Sequence, residues 1–224
     1  MMKQKREREP LNRQRIIDAG FAYADRFGWE RLSMRTLARL LGVEAMSLYK
    51  HVKNKEDILD GLSDRILEKI QFPKESLKPK EQLRQLSISK RNLFQSHPWA
   101  LNVLDSRTQF SLTRLNFLER QFSILRKTGL GPTETYRILL SLESYIYGFV
   151  IQESHWNFTQ LPKGNASPLF PVEGIPNHEL KERFPYFTGF FSDFLEKTKK
   201  RSIASILEEE FLWGLDKVLS QFRI

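Results

Sequence analysis

Cysteine is absent from the 224 residues. That excludes disulfides, a thiolate nucleophile and cysteine-ligated zinc or iron–sulfur centres, and it fits a reducing compartment. No apolar run approaches the roughly 18 residues of a membrane span; the most apolar stretch, residues 138–151, is broken by Glu143. The basic N-terminus is not followed by an apolar segment, so no signal peptide is expected. Enzyme signatures are missing too: there is no G-x-S-x-G, H-E-x-x-H, P-loop or G-x-G-x-x-G. Strand alternation and internal repeats are not visible. These absences leave a soluble, cytoplasmic protein that binds rather than catalyses.

What is present in excess is positive charge. The formal net charge is +9, and it is unevenly placed. Residues 1–57 hold 13 Lys/Arg against 8 Asp/Glu, whereas residues 58–224 hold 23 against 19. The densest patch is Lys3, Lys5, Arg6, Arg8, Arg13 and Arg15. Such asymmetry points to a polyanion, nucleic acid above all; the alternative is a solvated basic tail.

Apolar residues recur at helical spacing nearly throughout, so the expected fold is all-α. Asn12 and Gly28 bracket a first helix carrying Ile16, Ile17, Phe21 and Ala24 on one face. Ser33 starts a short helix that Gly42 ends in a left-handed turn, and a second short helix is expected over 45–51. Asn54 then caps a long helix to about residue 71, with Glu56 and Asp57 in its first turn, where carboxylates suit the helix dipole. Pro73 and Pro79 mark a break. Beyond it the pattern predicts further helices, a long one over 133–158, a loop over 159–178, an aromatic helix over 187–197 and a last helix over 202–222. This divides the chain into a helix-turn-helix domain with a basic arm, residues 1–57, and a larger helical domain, residues 58–224.

Two short helices joined at a glycine, with a helix before them, form a helix-turn-helix pattern. In the second, Leu48 and Val52 face inward, which leaves Ala45, Met46, Ser47, Tyr49, Lys50 and His51 at outward or N-terminal positions. The first residues of such a helix meet base edges in the major groove. Tyr49, His51 and Lys55 suit phosphate oxygens. Ser47 can bond a base edge, whereas Ala45 and Met46 offer at most contact with thymine methyls. The alternative is a plain helical hairpin.

Residues 12–59, and above all LARLLGVEAMSLYKHVKNKEDIL over 37–59, resemble the N-terminal domain of the tetracycline-repressor (TetR) family of bacterial transcription regulators. The resemblance implies a homodimer whose two recognition helices read adjacent major grooves of a palindromic double-stranded DNA operator. It implies DNA contacts from Met34 and Arg35, from Ala45, Met46, Ser47, Tyr49 and His51, and from Lys55. Where many relatives carry a polar residue or proline, this chain has Ala45-Met46. The resemblance also implies a C-terminal domain that dimerises and holds a small-molecule effector, making the chain a ligand-responsive repressor.

In that domain, helices 133–158 and 202–222 are the dimer candidates. The shortlist for the effector site is Phe94, Trp99, Phe110, Phe117, Tyr136, Glu143, Tyr147 and Trp156, aromatics that could equally fill a core. Glu143 stands out as a carboxylate inside an apolar helix. It needs a partner, either a ligand cation or an internal arginine such as Arg107 or Arg137. His97 and His155 form no metal-ligand pattern. No cofactor or metal is expected, and the effector's identity is unknown. The competing classes are a nonspecific basic nucleic-acid binder and a helical protein-interaction module.

Overall fold

The computed structural model describes residues 10–155, 176–222 and 224. Among the described residues there are eleven α-helices and no strand. They fall into two compact units, residues 1–147 and 148–223. No helix of the described residues is long and apolar enough to cross a membrane.

The first unit begins with α1 (Arg13–Phe27), α2 (Met34–Leu41), α3 (Ala45–Leu48) and α4 (Lys55–Lys69). Local chemistry sets their ends. Asn12 Oδ1 accepts from the Arg15 N–H at 2.8 Å, satisfying a donor that the helix itself leaves unpaired. Ser33 and Thr36 form a capping box: Ser33 Oγ accepts from the Thr36 N–H, and Thr36 Oγ1 accepts from the Ser33 N–H. At the other end of α2, Gly42 has φ 67°. Its N–H donates to the Arg39 carbonyl and the Val43 N–H to the Ala38 carbonyl, a Schellman closure that needs a residue free to turn left-handed.

α1 packs along α4. Ile16, Ile17, Phe21 and Ala24 are buried on one side and Ile58, Leu59, Leu62 and Ile66 on the other. At Gly61 of α4 a Cβ would stand only 2.4 Å from Ile17 Cδ1 of α1. The glycine therefore sets the distance between the two helices.

The recognition helix is shorter than expected. α3 ends at Leu48, and residues 49–51 form a turn in which the His51 N–H donates to the Leu48 carbonyl. At its start, Glu44 makes no side-chain cap hydrogen bond.

The unit continues with α5 (Pro79–Ser96), α6 (Ala100–Asp105), α7 (Leu112–Arg126) and the first part of α8 (Pro132–His155). The second unit comprises the rest of α8, then α9 (Asn177–Arg183), α10 (Pro185–Lys200) and α11 (Ile203–Ser220). In it Leu180, Phe191 and Leu195 pack together, and Phe149 meets Phe211 edge-on at 5.2 Å. α9 begins inside the segment read as loop, and α10 starts two residues earlier than the aromatic pattern suggests. Of that expected loop, residues 159–175 lie outside the described residues, as does the end of the helix read to 158.

Replacing Ser33 with alanine removes the half of the capping box that Ser33 Oγ makes, leaving the backbone N–H of position 33 to donate to Thr36 Oγ1, and is expected to cost about 1 kcal/mol. Urea unfolding should show a lower midpoint with an unchanged slope.

Candidate nucleic-acid interface and effector cavity

The helix-turn-helix segment concentrates charge. Residues 31–55 contain six Lys/Arg and a single acid, Glu44. The flanking stretches differ: residues 10–30 carry three of each sign, and residues 56–69 carry five acids against two bases.

Side-chain pairing follows the same division. Arg13 on α1 binds Asp57 at 2.8 Å, and Arg65 on α4 reaches Asp18 and Glu68. In α2, the α3 turn and the residues after it, Arg35, Arg39, Lys50 and Lys53 form no ion pair among the described residues. Such a field of unneutralised cations over a helix pair is what a phosphate backbone requires.

Of the residues assigned from sequence, Arg35 is exposed, Met46 is 74% exposed and Tyr49 48%. Met34, Ala45, Ser47 and His51 are half-buried. Lys55 is also half-buried; its ammonium donates to the Glu30 carbonyl at 3.2 Å and lies over the Trp29 ring. Arg39, Lys50 and Lys53 are exposed on the same segment. The charge count over 31–55 was the signal for them. The basic arm lies outside the described residues up to position 9.

The head is fixed to α4 through Asp57. Its carboxylate accepts from Arg13 and from the Lys53 N–H, while its own N–H is capped by Asn54 Oδ1 at 2.9 Å. Burial opposes the Asp57 charge, but Arg13 and Lys53 outweigh it and hold the carboxyl below its ordinary 3.8. A second tie runs from Asp25 on α1, which takes His97 Nδ1 at 2.6 Å and accepts from the Trp99 indole at 2.7 Å.

Within the first unit, α4, α6, α7 and α8 enclose a cavity of about 390 Å³. Phe117, Tyr136, Glu143 and Tyr147 from the shortlist line it. Phe94 stands behind, edge-on to Tyr147 at 5.7 Å and almost fully buried. Trp99 belongs instead to the α1 contact, edge-on to Phe21 at 5.0 Å. Phe110 is 64% exposed and lines a smaller depression with Asp60 and Arg107. Trp156 lies outside the described residues. The pattern gave no sign of Arg114 and Gln121, which also line the cavity.

Glu143 is paired with Lys90 of α5, not with Arg107 or Arg137. Arg107 is drawn to α4, where it meets Glu56 at 2.6 Å and Asp60 at 3.4 Å, and Arg137 is exposed. Gln121 donates to the same Glu143 oxygen at 3.0 Å. Burial opposes ionisation of Glu143, yet Lys90 and Gln121 prevail and keep its carboxyl below its ordinary 4.5. Its second oxygen, Oε2, is shut from solvent without an aligned hydrogen bond. Burial first, then the Glu143 charge, pushes the Tyr147 phenol up, so it stays protonated. No group of three or more potential metal ligands occurs among the described residues.

Residues 16–62 match the model of "Bacterial regulatory proteins, tetR family", and residues 72–220 match "Tetracyclin repressor-like, C-terminal domain". The chain belongs to the TetR family. Among TetR-family relatives, an HTH-type transcriptional regulator of Saccharopolyspora erythraea is 30% identical over 155 residues, which are 69% of this chain and 66% of that protein. The HTH-type transcriptional repressor DrrR1 of Streptomyces coeruleorubidus is 29% identical over 188 residues, 82% of this chain and 70% of that one. The chain thus spans about two-thirds of the length of these curated relatives. The fold matches that of the TetR-family protein ActR of Streptomyces coelicolor, solved with (S)-DNPA. The TM-score is 0.72 at 23% identity, over 95% of this chain and 96% of that one.

Lys90→Met should destabilise the protein by roughly 3–5 kcal/mol at neutral pH, because Glu143 is left as an uncompensated buried charge. Lys90→Met combined with Glu143→Leu should recover most of that loss in urea unfolding. Because the folded carboxyl titrates below 4.5, its stabilisation is complete above that pH and fades as pH falls through the lower value. The double variant should lose less stability than the parent across that acid range.

Proposed function

We propose that the chain is a ligand-responsive repressor that binds a palindromic operator as a homodimer in the cytoplasm, without catalysis and without a cofactor. The observation that carries this reading is the helix-turn-helix pair with its field of unpaired cations. Arg35, Arg39, Lys50, Lys53 and Lys55 serve the phosphates, while Ser47, Ala45 and Met46 face base edges. Two such heads reading one face of DNA sit about 34–36 Å apart, one helical turn. Exposed apolar residues on the two candidate dimer helices, Ile151 of α8 and Trp213 of α11, support dimerisation. The effector occupies the cavity between α4, α6, α7 and α8. Its aromatic walls and already paired charges favour an uncharged aromatic molecule. The relative ActR, solved with (S)-DNPA, is consistent with a small-molecule ligand.

Selection of duplex DNA from a random pool at physiological salt tests the reading. A palindrome with half-sites one helical turn apart is expected. Binding without a motif that disappears as salt rises would instead mark a nonspecific binder. On the selected duplex, Lys50→Ala removes one phosphate contact from each subunit and should lower the slope of log affinity against log salt by about 1.8 per dimer. Ser47→Ala should leave that slope unchanged and alter base preference.

A further inference from the structure

The second unit holds a cavity of about 360 Å³ between α8, α10 and α11, a size that suits a small molecule. It shares no residue with the cavity of the first unit. Helical spacing gathers its lining: Phe190, Asp193, Phe194 and Lys197 recur along one face of α10, and Phe149 and Glu153 along one face of α8. Phe194 and Leu207 form a buried wall. Phe190 lies 6.3 Å from Phe194, ring to ring, and is more than half exposed. The polar lining stands at the edge, where Gln152, Asp193, Lys197 and Glu210 are all exposed. Three carboxylates and one ammonium line the cavity. The ammonium, on Lys197, is 3.5 Å from Glu210, and Asp193 forms no ion pair among the described residues. In a chain of net charge +9, this surface has the opposite sign.

Each feature narrows what can bind. The surplus of carboxylates repels an anion. A bare metal ion finds no group of three or more potential ligands among the described residues. An uncharged hydrocarbon would use the phenyl wall and draw nothing from the acids. An organic cation uses both, because aromatic faces as well as carboxylates attract positive charge. We propose that the cavity between α8, α10 and α11 binds a small organic cation, an ammonium carrying an aromatic or alkyl body. The body lies against Phe190, Phe194 and Leu207, and Glu153 and Asp193 select the charge at the rim. The site stands apart from the proposed operator and effector, and its test needs neither.

The test is equilibrium dialysis of the full-length protein against benzyltrimethylammonium and against neopentylbenzene, its uncharged isostere. The cation is expected to bind about ten-fold or more tightly than the hydrocarbon. Asp193→Asn with Glu153→Gln should weaken the cation alone and bring the two affinities within about two-fold. Phe190→Leu should weaken the cation about two- to five-fold, the range of an exposed cation–π contact. Gln152→Trp, at an exposed position on the rim, should block both probes. Leu140→Trp, in the cavity of the first unit, should block neither. Should the double variant not fold, Asp193→Asn alone carries the charge test, since that side chain is exposed. No saturable binding of the cation overturns the proposal, as does equal affinity for the two probes. An unchanged preference after removal of the carboxylates overturns their role in selecting charge. Binding that survives Gln152→Trp overturns the location, and its loss in Leu140→Trp would put the cation in the first unit instead.

Discussion

The carboxylates at the start of α4 are what the rest of the first unit hangs on. Asp57 reaches back to Arg13 and to the Lys53 N–H, fixing α4 to α1 and to the turn after the recognition helix. Glu56, Asp60 and Asp64 reach the opposite way, to Arg107 and Ser111. Each of these ties, alone at a surface, would be worth little. Their value here is geometric, because they share one helix and meet capped helix ends. Gly61 completes the arrangement by letting Ile17 approach α4 closely enough for the Arg13 bond to form.

Charge is distributed to match. Arginines that hold the fold together are matched by acids on α1 and α4. Those between residues 31 and 53 have no acid matched to them among the described residues, and only one acid, Glu44, lies among them in sequence. Leaving several cations unpaired in one small surface raises the self-repulsion of the free protein. A polyanion would relieve it, so in the proposed complex with DNA the same residues would carry both the salt sensitivity and the orientation on the duplex.

The sequence made the local features legible. Asn12, Ser33, Asn54, Gly28 and Gly42 all stand where the helix ends fall, because capping depends on neighbours three or four residues away. Glu143 was recognisable as an anomaly, since a carboxylate inside an apolar helix must be compensated. Its partner was not, because Lys90 is 53 residues away on another helix, and an arginine would have served as well. The acidic face of α4 was visible only as a complement to the helix dipole. That it faces Arg107 and Ser111 depends on how α6 and α7 pack. Trp99 looked like a ligand aromatic, but Asp25 claims its indole, a contact between positions 74 residues apart. α3 is a single turn, and the His51 and Val52 N–H groups both close on the Leu48 carbonyl behind it.

Consecutive residues on a helix point about 100° apart. Glu56 and Asp57 are consecutive, and they hold different neighbours, Arg107 and Arg13. Tilting the start of α4 toward either neighbour would stretch the bond to the other. The first turn of α4 is therefore held from two sides at once, so a shift of either neighbour is felt at the turn that leads into the recognition helix.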